Sequence, residues 1–295
     1  MSKFWMLGNK ITSEMYERER FVKVAHDMGI DFNVVFSDEI DLLVSRDDRR
    51  SIRYRGEAIA LPDVCLARTG SGTGFYNLSV LRQLERLNVL TLPNSAAIES
   101  SKDKFYSNQI LAQAGLPIPK TMLARFPVSH ELVEKQIGLP CVIKVVTGSH
   151  GAGVYLCETL KQFLDLQELI ASLDSKNSMI IQEYVKESAG RDLRVIVVGG
   201  KVIGAMERSS TDGNFRANVS RGGVAKTYAL DDEMEMLALQ VARVLDLDIC
   251  GVDLLFSDDG YRICEANSAP GFRGFEKATG INVPEKIFKY AGIRI

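Results

Sequence analysis

The sequence predicts an α/β protein in two architectures: a small, mostly parallel α/β domain at the N-terminus, then a region of antiparallel hairpins with intervening helices. Three observations carry this. Apolar periodicity alternates between strand and helix spacing over roughly the first 95 residues. The run Gly115-Leu116-Pro117-Ile118-Pro119 then stops a helix and marks a change of pattern. Beyond it, short β-branched runs arrive in consecutive pairs, as hairpins do.

Phe4–Leu7 reads as a strand, Glu14–Met28 as a helix, and Phe32–Phe36 as a second strand, with Gly29 where a helix C-cap requires positive φ. Asp63–Arg68 reads as a third strand, Asn77–Leu87 as a helix and Val89–Leu92 as a strand. A helix is expected from Ser95 to Ala114. Cys141–Val146 and Val154–Cys157 are strands around a Gly-rich turn, Leu160–Leu173 is helical, and Met179–Val185 is a strand. Leu193–Val198 pairs with Lys201–Glu207, Asp232–Leu245 is helical, and Gly251–Phe256 forms a hairpin with Tyr261–Ala266.

Composition bounds the function. The 295 residues are 46% hydrophobic and 25% charged, an ordinary globular balance. That length holds about two domains at roughly 150 residues each. A net charge of -2 and a pI near 6.0 supply no global attraction to nucleic acid or anionic membranes, so no direct nucleic-acid binding is expected. No segment reaches the ~20 apolar residues of a membrane span, and no signal h-region is present. The five cysteines form no C-x-x-C pair, and four lie in apolar runs, which suits a reducing cytoplasm.

The most informative segment runs from Cys250 to Asn267. Its turn residues Asp258-Asp259-Gly260 suit a three-residue hairpin loop with Gly in the left-handed position. Pairing Ser257 with Tyr261 sets Asp253 opposite Glu265, with Asn267 two residues further along the same face. Like charges facing each other are unfavourable unless neutralised, and a hard cation such as Mg²⁺ would do so, bridging to a nucleotide. The competing reading is a solvated face with both acids in water.

In Pro140–Cys157, Lys144 interrupts an apolar strand, and an ammonium there needs an anion. The loop Gly148-Ser-His-Gly151-Ala-Gly153 leads into another strand, so it fits a phosphate-covering lid, with a plain hairpin turn as the alternative. The G-x-x-G-x-G spacing excludes a dinucleotide fingerprint, which opens a helix, and no G-K-[ST] is present for a Walker loop. The cluster Gly70-Ser-Gly72-Thr-Gly74 has Phe75 where a third glycine would be needed.

With Lys144 and the hairpin acids in place, further tracts resemble the ATP-grasp ligases, and within them the RimK group of glutamate ligases, end to end. These are Ile181-Gln-Glu183-Tyr184-Val185, Arg191-Asp192-Leu-Arg194, Glu207-Arg208, Asn214-Phe-Arg216-Ala217-Asn218-Val-Ser-Arg221-Gly-Gly223, Glu265-Ala-Asn267-Ser-Ala-Pro-Gly271 and Phe275–Ile281. The resemblance implies an N-terminal pre-ATP-grasp domain over 1–97 on the substrate side, followed by a two-lobed ATP-grasp module. Its lid lobe would span 98–185, and its large lobe, with the metal site, 186–295. It implies that Lys104 and Lys144 contact ATP phosphates, that Gly151 and Gly153 belong to the lid, and that Glu183, Tyr184 and Val185 hold adenine and ribose. Asp192 is implied on the nucleoside side, and Asp253, Glu265 and Asn267 on two Mg²⁺ ions, with Mn²⁺ as a substitute. Arg216, Ala217 and Asn218 are implied beside the transferring phosphoryl group, with Arg208 and Arg221 near an acyl phosphate. Phosphoryl transfer asks for positioned charge rather than a protein nucleophile, and arginine suits planar oxyanions.

The expected function is therefore an ATP-dependent carboxylate-amine ligase working through an acyl phosphate. It would add glutamate or a similar amino acid to a protein or peptide C-terminus or to a small carboxylate. Its partners would be those amino-acid and carboxylate substrates, and its assembly a cytoplasmic homo-oligomer. The alternatives are a ligase that joins free amino acids or modifies a cofactor, and a catalytically silent ATP-binding regulator. Departures from the RimK pattern fall in the lid, after Arg208 (Ser209–Asp212) and at Phe272-Arg273-Gly274-Phe275, so they bear on the amine substrate. Arg68, at the end of a strand before a glycine turn, is a substrate candidate. His26 and His130 have no metal-ligand spacing, His150 lies in the lid, and the basic run Arg46–Arg55 reads as an exposed hairpin.

Overall fold

Alternating short strands and amphipathic helices bury a strand from both sides, and β1 (Lys3–Gly8) is buried from Phe4 onward. In this computed structural model, which describes residues 2–9, 15–46, 51–70, 73–146, 153–172, 178–211, 213–215, 217 and 223–294, β1 is central in a parallel sheet ordered β2-β1-β6-β7. Its neighbours are β2 (Asp31–Phe36), β6 (Val64–Ala67) and β7 (Leu90–Leu92). Helix α1 (Met15–Asp27) turns Phe21, Val24 and Ala25 inward, and Gly29 closes it at φ +66. Helix α2 (Phe75–Arg86) covers the other face through Leu78, Leu81 and Leu84. A small sheet of β3 (Ile40–Leu42), β4 (Ile52–Tyr54) and β5 (Glu57–Ala58) flanks this domain. Its strands are too short to show a period.

The single helix expected from Ser95 to Ala114 is two, α3 (Ser95–Lys102) and α4 (Lys104–Gln113). Asp103 breaks it: the backbone there is extended, and the carboxylate accepts from the amides of Phe105 and Tyr106, starting a new helix. The effect is to bring Lys104 to the first turn of α4, facing the later strands.

Two antiparallel sheets follow. The first, ordered β10-β9-β11-β8, contains β8 (Thr121–Arg125), β9 (Cys141–Val145), β10 (Val154–Cys157) and β11 (Ser178–Glu183). One face packs Ala124, Cys141, Ile143 and Ile181 under α5 (His130–Gln136) and α6 (Leu160–Ser172). The second, ordered β14-β13-β12-β15-β16, contains β12 (Arg191–Val198), β13 (Lys201–Ser209), β14 (Val224–Tyr228), β15 (Ile249–Ser257) and β16 (Gly260–Asn267). Helix α7 (Asp232–Val244) covers its Leu193, Val195, Val252 and Leu254 face.

The opposite face of β12 divides in two. Ile196 and Val198 join a core with Phe272, α8 (Arg273–Thr279), α9 (Val283–Arg294) and the α1 side of the first sheet. Arg194 and Asp192, two and four residues before Ile196 on that face, are left to line a cavity.

The hairpin register differs from the expected one. Ser257 pairs with Gly260, not Tyr261, which leaves a two-residue loop at Asp258-Asp259. The pairing slips between Leu254, opposite Ile263, and Asp253, opposite Glu265, so Cys264 is an inserted bulge residue. Two one-residue differences cancel, and the facing acids result by a route other than the one the turn residues suggested.

Candidate functional site

A cavity of about 940 Å³ lies between the inner faces of the two antiparallel sheets and extends to α1 and α8. At one end Val142, Ile180 and Leu255 face one another across an apolar slot, with Tyr184 and Phe215 beside it in an edge-on pair 6.4 Å apart. Strand alternation explains the slot, because Val142 and Lys144 share the face opposite the buried Cys141 and Ile143. Lys144 points into the cavity and donates to Gln182 Oε1 at 2.6 Å, and Gln182 in turn donates to Thr121 Oγ1 at 2.8 Å. The partner of this ammonium is thus a neutral amide rather than an anion, leaving its charge uncompensated by that bond.

The polar floor is a four-charge lattice. The register sets Asp192 opposite Arg208 and Arg194 opposite Asp253. Arg208 grips Asp192 through both carboxylate oxygens (2.6 and 2.7 Å) and reaches Asp253 Oδ2 at 2.9 Å. Arg194 grips Asp253 through both oxygens at 2.7 Å. Burial alone would raise the Asp253 carboxyl, but the two guanidinium groups outweigh it and hold it below the usual carboxylate range. Burial also acts on Asp192, where Arg208 does not overcome it and the neighbouring Asp253 adds to it, so this carboxyl is raised.

Glu265 and Asn267 lie beyond this lattice on one face of β16, 3.3 Å apart between Asn267 Nδ2 and Glu265 Oε1. Lys104 Nζ is 3.9 Å from Glu265 Oε2. Among the described residues no group of three or more His, Cys, Asp or Glu side chains gathers as a metal cage. Mg²⁺ needs no such cage, since it takes one or two carboxylates and leaves the rest of its shell to water and phosphate. Glu265 and the Asn267 amide oxygen are donors of the right hardness. Asp253 accepts three bonds from arginine, leaving about one of a carboxylate's four lone-pair directions.

Of the residues singled out from sequence, the cavity walls bring together Lys104, Lys144, Glu183, Tyr184, Val185, Asp192, Arg208, Ala217, Asp253, Glu265 and Asn267. Gly153 follows the lid residues at φ +68, where a Cβ would meet Val145 Cγ2 at 2.8 Å, so another residue there is strained and must displace the Val145 side chain. Arg68 is not on the cavity wall; its Nη2 donates to the Pro270 carbonyl at 2.9 Å. Gly151, His150, Arg216, Asn218 and Arg221 lie outside the described residues. Sequence reasoning passed over Arg194 and Gln182 as partners, although Asp192-x-Arg194 spacing puts both charges on one face of a strand. It also gave no role to Glu17 and Lys277, which with Arg273 line the α1 and α8 end of the cavity.

Residues 3–98 match the RimK PreATP-grasp domain and residues 101–291 the RimK-like ATP-grasp domain. The chain belongs to the RimK-like ATP-grasp ligases. A probable alpha-L-glutamate ligase of Marinomonas sp. (strain MWYL1) is 37% identical over 277 residues, spanning 94% of this chain and 91% of that protein. One from Methanococcoides burtonii is 37% identical over 279 residues, with the same shares. The RimK-like fold is shared with solved ATP-grasp structures of low identity. The ligase PsnB, complexed with a minimal precursor, has a TM-score of 0.76 at 19% identity, covering 99% of each chain. D-alanine–D-alanine ligase from Bacillus anthracis has a TM-score of 0.65 at 16% identity, covering 99% of this chain and 93% of that one. No helix among the described residues of this RimK-like ligase is long and apolar enough to cross a membrane.

Proposed function

We propose that this ligase uses ATP and Mg²⁺ to convert a carboxylate to an acyl phosphate, which an amine then attacks, releasing phosphate and leaving ADP and an amide. The observation that carries this reading is one cavity in which the apolar slot of Val142, Ile180 and Leu255 leads to Lys144 and Lys104, and these to Glu265 and Asn267. A flat base suits the slot, phosphates suit the ammonium groups, and a hard cation suits the two oxygen donors. PsnB has been solved with Mg and ADP, which supports the same ligands here.

Glu265 and Asn267 would hold Mg²⁺, with Asp253 joining through its remaining lone pair and Mn²⁺ able to substitute; the ion count is proposed as two. The metal would neutralise charge on the phosphates. Glu183, Tyr184 and Val185 would border the nucleoside, with Lys104 and Lys144 on the phosphates. Arg208, fixed by two carboxylates, would present a rigid guanidinium toward the reacting group rather than swing freely, with Arg216, Asn218 and Arg221 completing that side. The division into 1–97, 98–185 and 186–295 is proposed on the same grounds.

At the far end the cations Lys102, Arg273 and Lys277 border the cavity, which favours an acidic substrate. Glutamate or a similar amino acid, joined to a peptide C-terminus or small carboxylate, is the substrate pair we propose, in keeping with the names of the relatives. The test incubates the protein with ATP, Mg²⁺ and pools of amino acids and peptides and follows nucleotide and product mass. ADP formed only with a productive pair is expected. AMP with pyrophosphate would overturn the acyl-phosphate scheme, and tight ATP binding without turnover would favour a silent regulator.

A further inference from the structure

The chain that leaves β16 after Asn267 is neither strand nor helix until α8, so its backbone shape depends on contacts from elsewhere. Two come from the N-terminal domain and have opposite charge. Glu17, buried on α1, accepts at Oε1 from the amides of Phe272 (3.0 Å) and Arg273 (3.3 Å). Arg68, just beyond β6, donates to the carbonyl of Pro270 (2.9 Å), and its guanidinium carbon lies 5.6 Å from the Phe272 ring centroid. The acid takes the N–H groups and the base takes the C=O. Ser268–Gly271, which includes the gripped Pro270, forms cavity wall next to Asn267. Pro270 is pressed against Gly251, where a Cβ would meet Pro270 Cβ at 2.8 Å.

We propose that Glu17 and Arg68 are positioning residues that hold the 268–273 connection in the shape of the substrate end of the cavity. The N-terminal domain thereby sets substrate affinity through the loop. Calling that end the substrate end rests on the ligase reading above. The slot walls Val142, Ile180, Tyr184 and Leu255 belong to β9, β11, its following residue and β15 rather than to the 268–273 connection, so nucleotide affinity should lie outside this control.

The test uses Glu17→Ala, Glu17→Gln, Arg68→Ala and Arg68→Lys in the full chain, with two readouts. Amide hydrogen exchange of residues 268–275 needs no activity. Glu17→Ala and Arg68→Ala should accelerate it roughly ten-fold, because buried backbone groups lose their partners, while Glu17→Gln, which keeps an acceptor oxygen, stays near wild type. In steady-state kinetics the two alanine variants should raise the KM of the carboxylate substrate by a similar factor and leave that of ATP within about two-fold.

Unchanged exchange in both alanine variants overturns the proposal. So does an equal rise in both KM values, or a Glu17→Gln variant with native exchange but the substrate defect of Glu17→Ala, which would mean that the carboxylate acts on substrate directly. If Glu17→Ala does not fold, Arg68→Ala and Arg68→Lys decide it. Should no substrate pair yield ADP, the ligase reading fails, and unchanged or accelerated exchange still decides the clamp.

Discussion

Replacing Arg208 by Met probes the charge lattice. Arg208 is 4% exposed and makes three charge-assisted bonds, two to Asp192 and one to Asp253. Methionine roughly fills the space of the stem but leaves Asp192 without its bidentate partner. Asp253 keeps both bonds to Arg194. Breaking a buried pair by removing one partner costs about 3–5 kcal/mol, and the already raised Asp192 carboxyl limits the loss by taking up a proton. At about 2.1 cal/mol/K of unfolding entropy per residue, 295 residues give roughly 1.6 °C per kcal/mol, so the melting temperature should fall by up to about 5–8 °C. Adding Asp192→Asn to Arg208→Met should recover about 1–2 kcal/mol, because it removes the orphaned charge. Thermal and urea unfolding of the two single variants and the double variant measure this cycle. A loss under about 1 kcal/mol for Arg208→Met, the scale of an exposed pair, would refute the buried-lattice argument.

The seam between α1 and α8 should be acid-sensitive. Burial would raise the Glu276 carboxyl, but bonds from Arg20, Tyr16 and the Val283 amide outweigh it and hold it below its usual range. A lowered folded-state value means stability fully present above the unfolded value of about 4.3 and lost as pH falls through the folded one, so Glu276→Gln should flatten urea-unfolding stability below about pH 4. Gly251→Ala should cost about 1–3 kcal/mol by driving Pro270 outward, and ADP release should fall with it. Lys144→Met should weaken nucleotide binding about ten-fold or more in a fluorescence titration with little change in melting temperature, since this half-buried ammonium is bonded to the neutral Gln182 amide rather than to a carboxylate. Glu265→Gln should abolish the Mg²⁺ dependence of nucleotide binding while the lattice keeps Asp253 in place.

Much of this was legible locally. The first sheet follows from period-2 and period-3.6 runs joined by short connections, and the site residues on β9, β15 and β16 from charges interrupting apolar strands. What escaped was partly local geometry and partly set by partners far along the chain. Asp103 reads as an ordinary helix residue until its carboxylate is seen capping α4. The acids of β15 and β16 were paired correctly from an incorrect loop, because a bulge at Cys264 offset the shorter turn. Arg194 stood in the sequence only as part of a tract resembling the RimK pattern, and the β12–β15 register makes it the partner of Asp253. The Glu17 contacts join residues more than 250 positions apart, which no local pattern encodes.

Phe288, on the last helix, packs edge-on against Phe4, Phe21 and Phe32 at 5.6, 5.7 and 5.4 Å. A domain written first in the sequence is therefore sealed by residues written last. During synthesis at about 5–20 residues per second, those early aromatic rings stay uncovered on the order of ten to fifty seconds, until α9 leaves the ribosome. The α1 face of the first sheet is thus completed only once α9 is available to cover it.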